Sequence, residues 1–274
     1  MDIVKSTGET EKFSEEKIYE TSKRAGASSD LAQKTVEEVK KTLEEGMTTD
    51  EIYDNVLSCL TDNNSAVAAR YSLKKSIMKL GPAGYIFEKY IGAILREYGY
   101  ETRTGIIVKG ECVNHEVDVL AKKGKRHILA ECKYHNHRGI RTGVKVSMYT
   151  YARSRDIIER MERVETEKGA THEGWLITNT HCSHDAIQFA KCRGLEILSW
   201  NYPKKKSLRE YIEEKALYPV TIIPKMPKRA FKRLSDEDIM FAHEVANIPL
   251  KKFMNISGLK KNQAEKIQRE VLSI

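Results

Sequence analysis

Two runs of alternating apolar and polar residues flank a lysine-glycine turn at 122–126, and the rest of the chain is arranged around them. In the first, Val117 and Val119 alternate with Glu116, Asp118 and Leu120. In the second, Ile128, Ala130 and Cys132 alternate with Leu129, Glu131 and Lys133. Successive strand side chains point to opposite faces, so Glu131 and Lys133 share one face and Cys132 takes the other. A glycine at 124 between two such runs predicts an antiparallel hairpin whose return brings Asp118 beside Glu131.

Helical spacing governs most of what surrounds this hairpin. After a short apolar start at Ile3-Val4 and a turn at Gly8, Ser14 followed by Glu15 and Glu16 predicts a capped helix over 15–24. Further helices are predicted over 31–43, over 50–60 with Thr49 as cap, and over 66–80, before Gly81-Pro82-Ala83-Gly84 ends the series. Next in order are a helix over 85–98 closed by Gly99, a strand at 105–108 and the hairpin. Beyond these come a helix over 144–163, a strand at 174–180, a Ser183-capped helix ending at Gly194, and a strand at 195–200. Strand–helix–strand of this length predicts parallel neighbours. Residues 201–233 contain Lys204-Lys205-Lys206 with Pro219, Pro224 and Pro227, and read as a basic connector with one helix over 208–217. Ser235-Asp236-Glu237-Asp238 predicts the cap and acidic first turn of a last helical segment. The fold class is therefore α/β and multi-domain: a hairpin plus helical bundle at 1–80, a mixed sheet flanked by helices at 81–203, a connector at 204–233, and a small helical segment at 234–274.

The 40% hydrophobic and 31% charged content suits a globular chain. No run approaches the roughly 20 apolar residues that span a bilayer, and the start lacks an apolar signal core, so no membrane partner and a cytoplasmic location are expected. Five scattered cysteines without a CxxC argue against a disulfide scaffold. The net charge is +8. Acidic side chains outnumber basic ones over 1–80, and the basic excess lies beyond, which predicts a polyanion partner for the later part. Between 134 and 155 cations interleave with tyrosines, a mixture suited to phosphates and bases. His135, Arg138, Arg141 and Lys145 are the DNA contacts expected there.

Two carboxylates and a lysine on one strand pair suit a hard divalent cation, because Mg²⁺ takes one or two carboxylates and completes its shell with water and phosphate oxygens. Such an ion polarises a phosphate and activates a water, while Lys133 orients that water or offsets developing charge. Cys132, His135 and His137 have zinc-like spacing, but Cys132 faces away from Glu131 and Lys133. Asp118 followed by Glu131-Cys132-Lys133 resembles the PD-(D/E)xK nucleases, and the flanking text is most similar to their Mrr-like restriction-endonuclease branch. Downstream, Thr178-Asn179, Ser183, Ala186, Ala190 and Gly194-Leu195 resemble the second half of that domain. The resemblance implies a DNA endonuclease of the type II or type IV restriction class, dependent on Mg²⁺ (or Mn²⁺). Asp118, Glu131 and the Cys132 carbonyl would be the metal ligands, Lys133 would position the nucleophile, and Glu88 would contribute from the preceding helix.

Val4-Lys5 before Gly8, Phe13-Ser14, Lys17-Ile18, Thr49-Asp50-Glu51-Ile52 and Ala68-Ala69-Arg70-Tyr71 resemble the ATP-cone, a regulatory nucleotide-binding domain. That resemblance implies ATP or dATP held by Ile3, Val4, Lys5, Lys17 and Thr49; Ser6-Thr7 stand where the family usually has Arg-Asp. The sequence has no GxxxxGK[ST] loop, so the nucleotide is expected as an allosteric ligand rather than as fuel. Ile256-Ser257-Gly258-Leu259 with Ala264 and Ile267 resembles one helix-hairpin-helix unit, implying either phosphate contacts at Gly258 and Lys260 or a dimerisation cap.

Together these features predict a nucleotide-regulated DNA endonuclease, homodimeric if it cuts both strands, because one site per chain cuts one. Two other readings stay open. One is a catalytically inactive nucleotide-sensing DNA-binding regulator, in which Asp118, Glu131 and Lys133 fail to converge. The other is a junction nuclease, which shares the chemistry and takes branched DNA.

Overall fold

In the computed structural model, which describes residues 1–5, 8–81, 84–137, 139–164, 169–224, 226–272 and 274, side-chain caps start the first helices. The elements are β1 (Asp2–Val4), β2 (Thr10–Lys12), α1 (Glu15–Arg24), α2 (Ser29–Lys41), α3 (Thr49–Asn63), α4 (Ser65–Tyr71) and α5 (Leu73–Ile77). Ser14, Ser28, Thr48 and Asn64 each accept a backbone N–H from three residues on. The cap of α3 is thus Thr48 and not Thr49, because Glu51 bonds back to the Thr48 N–H at 2.8 Å and closes a capping box. The single helix expected over 66–80 breaks at Ser72, whose hydroxyl donates to the Ala69 carbonyl at 2.7 Å. Ile18, Val36, Ile52, Val56 and Leu60 form the core here.

Residues Met78–Leu217 make a separate compact unit. Its elements are α6 (Tyr85–Glu97), β3 (Glu101–Lys109), β4 (Asn114–Lys123), β5 (Arg126–Lys133), β6 (Arg141–Thr142), α7 (Val144–Val164), β7 (Thr171–Thr178), β8 (His181–Cys182), α8 (His184–Arg193), β9 (Glu196–Leu198) and α9 (Leu208–Glu214). The main sheet has the order β3-β4-β5-β7-β9, antiparallel through β5 and parallel beyond. Ser183 caps α8 and Gly194 ends it at φ +70°, so the β7–α8–β9 crossover forms as the sequence predicts. α7 and α8 share one face of the sheet, where Val146, Leu176, Ala186 and Ile197 pack together.

One departure from the alternation matters for the site. Gly105 lies opposite Asp118 in the β3–β4 register, the pair there is missing, and Gly105 has φ +59°. Before it, Thr102 and Thr104 lie against Gly92 of α6. After it, Ile106 and Val108 pack with Ile157, Ile158 and Met161 of α7. Alternate residues of an unbroken strand share one face, so β3 changes faces at Gly105. β4 does the same, since Val117 and Leu120 both join the α7 cluster. The expected common face for Val117 and Val119 is therefore corrected, and Glu116 turns toward the α6 side.

The segment expected as a basic connector is folded. Leu208, Ile212, Leu217, Val220, Ile222 and Phe231 are buried, and the prolines act as helix starters. Pro219 precedes a 3-10 turn (Val220–Ile222), and Pro227 precedes α10 (Lys228–Asp236), whose lysines and arginines take the exposed side. Ser235-Asp236-Glu237-Asp238 consequently ends a helix instead of opening one: Ser235 is buried and donates back to the Lys232 carbonyl at 2.7 Å. After α11 (Ala242–Asn247), α12 (Leu250–Ser257) and α13 (Lys261–Val271) are joined by the Gly258 turn. Tyr218–Ile274 forms one compact unit with Met1–Ile77. Within it, Thr221 Oγ1 donates to the Ser76 carbonyl at 2.7 Å and Arg70 Nη1 to the Ile274 carbonyl at 2.9 Å. Among the described residues, no helix is long and apolar enough to cross a membrane.

Gly105→Ala forces an L side chain into the left-handed region and is expected to cost about 1 kcal/mol. Denaturant melts of the variant check this, and an unchanged midpoint would contradict the backbone argument.

Candidate active site

β5 is held along its whole length by β7, from Arg126↔Thr171 to Lys133↔Thr178. Its pairing with β4 runs only from Lys123↔Arg126 to Val119↔Ala130. Past that point the strands part, and Asp118 fills the opening: its Oδ2 accepts the Cys132 N–H at 2.7 Å. Glu131, paired with Leu176, lies on the α7 face, and Cys132 with Ile177 on the α6 face. The parting lets carboxylates from both faces meet at one place.

The charges of these acidic groups act on one another. Glu88 in the first turn of α6 is pushed up to about 7, by burial first and then by the charges of Asp118, Glu116 and Glu131. Glu131 is likewise pushed up to about 7 by burial and by Asp118, against the opposing charges of Arg153 and Lys133. A guanidinium 2.5 Å from Glu131 ordinarily holds a carboxyl down, and here burial outweighs it. Burial also raises Asp118, against the Cys132 N–H and Arg153, and raises the Cys132 thiol. Lys133 is exposed at the end of β5 and has no ion-pair or hydrogen-bond partner among the described residues.

Repulsion between neighbouring carboxylates is the condition that a hard divalent cation relieves, and Asp118 with Glu131 would supply the one or two carboxylates that such an ion takes. Among the described residues no three His, Cys, Asp or Glu side chains close into a ready-made cage. Asp118, Glu131 and the Cys132 carbonyl would hold the ion, with water and phosphate oxygens completing its shell.

α7 frames the cluster. Arg153 Nη1 reaches Glu131 and its Nη2 donates to the Glu116 carbonyl. One turn on, Asp156 accepts from Cys112 N at 2.8 Å, meets His115 Nε2 at 2.6 Å and fixes the β3–β4 turn. A Cβ on Gly110 would stand 2.0 Å from Asp156 Oδ2, so only glycine lets the turn approach the helix. Sequence reasoning missed Glu116 and Arg153. Glu116 belongs to the site through the change of face at Gly105, which alternation hides. Arg153 stood unremarked among the basic residues of α7.

The expected DNA contacts divide. His135 is part-buried, with Nε2 3.1 Å from Thr142 Oγ1 and its N–H on Asn179 Oδ1 at 2.9 Å. Burial and Lys133 hold its pKa down. Thr142 sits between Arg141 and the start of α7, so this bond ties the exposed Arg141 and Lys145 to the end of β5. Arg138 lies outside the described residues, as do Ser6 and Thr7. Gly258 and Lys260 belong to the other compact unit.

In the first domain, Lys5 and Lys17 converge on one carboxylate: their Nζ atoms lie 3.5 and 3.1 Å from Glu11 Oε2. Lys17 is the main cause of the lowered pKa of Glu11. Val4 bridges to Thr48, which places Thr49 next to the hairpin. Ile3 is only 5% exposed and packs into the core.

Three stretches of the chain match known families. Residues 1–79 match the ATP cone domain, 82–201 the Restriction endonuclease domain of Mrr type, and 218–274 the AF1548-like C-terminal domain. An uncharacterized protein of Archaeoglobus fulgidus is 34% identical over 181 residues, covering 66% of this chain and 97% of its own. The chain belongs to the AF1548-like family, with an Mrr-type restriction endonuclease domain. The crystal structure of AF1548, a protein of unknown function, superposes on this AF1548-like chain with TM-score 0.60 at 33% identity, covering 69% of this chain and 97% of that one. Can2 from Sulfobacillus thermosulfidooxidans, in complex with cyclic tetra-adenylate, reaches TM-score 0.35 at 12% identity over 76% of this chain and 64% of its own, too distant to bear on fold or function.

The raised pKa of Glu88 makes a signed prediction for the ion-free AF1548-like protein. A carboxyl at about 7 when folded and near 4.5 when unfolded lowers stability as pH rises through that window, and lowers it fully above. Glu88→Gln is expected to stabilise the protein at pH 8 by about 1 kcal/mol, the full shift being discounted for the exposed half of the group. Near pH 4 the two proteins should melt together. Denaturation in EDTA at both pH values checks it, and equal midpoints at pH 8 would contradict the burial argument.

Proposed function

We propose that this chain is a Mg²⁺-dependent DNA endonuclease whose ATP-cone binds ATP or dATP as a regulator. The observation that supports the reading is the Asp118 carboxylate on the N–H of Cys132, which follows Glu131 on the same strand, with Glu88 raised by burial and by the charges of both carboxylates and Lys133 exposed at the strand end. The Restriction endonuclease match over 82–201 supports nuclease chemistry. Exposed Arg141 and Lys145 and a net charge of +8 support DNA as substrate.

The chain's own groups divide the work. The Cys132 N–H holds one Asp118 oxygen, so that carboxylate is oriented before substrate arrives. Lys133, exposed at the strand end, would face the phosphate and steady the attacking water and the charge that develops on the oxygens. Glu88, near neutral pH in its titration, can accept a proton at the edge of the site. A bound Mg²⁺ would supply Lewis-acid polarisation of the phosphate. Lys5 and Lys17, drawn together on Glu11, are the cations that a nucleotide's phosphates would take over. Five free thiols support a reducing, cytoplasmic setting, and double-strand cutting would need two copies of the chain.

Incubating supercoiled plasmid, linear duplex and branched DNA with Mg²⁺ or EDTA tests the chemistry. Wild type is expected to cut with Mg²⁺ only, and Asp118→Asn, Glu131→Gln and Lys133→Ala to lose at least about a hundredfold, the usual scale for removing one such group. Binding without cutting would favour a regulator, and cutting confined to branched DNA a junction nuclease. Calorimetry with ATP and dATP tests the cone: Lys5→Ala and Lys17→Ala should each weaken binding about tenfold, the loss of one charge-assisted phosphate contact. Absence of binding by wild type would remove the regulatory half of the reading.

A further inference from the structure

Arg153 reaches from α7 into the carboxylate cluster. Its side chain is 16% exposed, its Nη1 lies 2.5 Å from Glu131 Oε2, and its Nη2 donates to the Glu116 carbonyl. Its guanidinium also lies 5.2 Å from the ring centre of Tyr149, which is 57% exposed. Lys145, Tyr149 and Arg153 are spaced four residues apart and so succeed one another along a single face of the helix. That face runs from the exposed start of α7 inward to Glu131.

This arrangement poses a conflict. An oxygen of the carboxylate that would hold the ion is already bound by an internal cation. Breaking a largely buried ion pair without a replacement strands a charge at heavy cost, so an ion alone gains Glu131 only against the guanidinium. The conflict resolves if the guanidinium receives another anion at the same moment. A phosphate suits it, because the planar fork of N–H groups matches phosphate oxygens two at a time. Tyr149 offers the swinging group a ring to slide along.

We propose that Arg153 is a transferable counter-ion, which neutralises Glu131 in the resting site and moves to a DNA phosphate when a divalent ion takes that carboxylate. Ion and DNA then bind as a pair, each raising the affinity for the other by the same factor. The resting site is guarded against the free ion, and the ion is retained where there is a phosphodiester to act on. This rests on the nuclease reading above.

The test is Mn²⁺ binding measured by electron paramagnetic resonance, with and without a short duplex. It is made in a Lys133→Ala background that prevents cutting, with Arg153 intact or changed to Gln or Lys. Without DNA, Arg153→Gln is expected to bind Mn²⁺ about tenfold more tightly, whereas a merely damaged site would bind it more weakly. Duplex should tighten Mn²⁺ about tenfold when Arg153 is present and markedly less when it is Gln, a coupling of ordinary size between two sites. Arg153→Lys, which keeps the charge and loses the fork, should fall between. Should the Gln protein be unfolded by circular dichroism, the Lys comparison decides by the same two readouts. Unchanged or weaker Mn²⁺ binding without DNA, or an equal gain with DNA, would overturn the proposal. Failure of wild type to cut any DNA would instead remove the nuclease reading, and the Mn²⁺ comparison would remain readable on its own.

Discussion

A side chain standing in for a backbone partner organises the nuclease domain. β5 is fully laddered to β7 on one side, while on the other its last residues are left by β4, and the Asp118 carboxylate takes the Cys132 N–H in the gap. A buried N–H without a partner is costly, so this bond closes the end of the sheet while leaving it open for chemistry. It also fixes where Asp118 lies relative to Glu131 and Cys132, on a strand whose other edge cannot shift.

Negative charge is concentrated as a result in a partly dry place. Glu88 comes from the α6 side, Glu131 from the α7 side, and Glu116 arrives because the strands change faces at Gly105. Such a cluster opposes folding unless something balances it. Here the balance is local: the Cys132 N–H for Asp118, and Arg153 for Glu131. The fold tolerates its own site because Asp118 and Glu131 are each given a partner and burial keeps Glu88 partly protonated, and the groups that give tolerance are also those that orient the carboxylates.

How much of this was legible in the sequence depended on range. Period-two alternation and a glycine turn were local signals, and they placed the hairpin. Ser183 and Gly194 bounded α8 for the same reason, since caps act within a few residues. The change of face at Gly105 was hidden because it depends on one left-handed residue whose partner, Asp118, is thirteen positions away. Arg153 was lost among the cations between 134 and 155, since its meaning comes from Glu131, which it meets only when α7 packs on that face of the sheet. The segment around Pro219 and Pro227 misled in the other direction: proline and lysine marked a linker by composition, while Leu208, Val220 and Phe231 were spaced to be buried. Thr48, one residue before the expected cap, takes the role because Glu51 bonds back to its N–H.

α7 acts as a ruler. Arg153 and Asp156 lie on it three residues apart, one gripping the carboxylate cluster and the other the β3–β4 turn through Cys112 and His115. A helix advances about 100° and 1.5 Å for each residue. Inserting or deleting a single residue between them would swing one grip out of line while leaving the other in place. The number of residues between the two is therefore the part of this helix that cannot change without losing a contact.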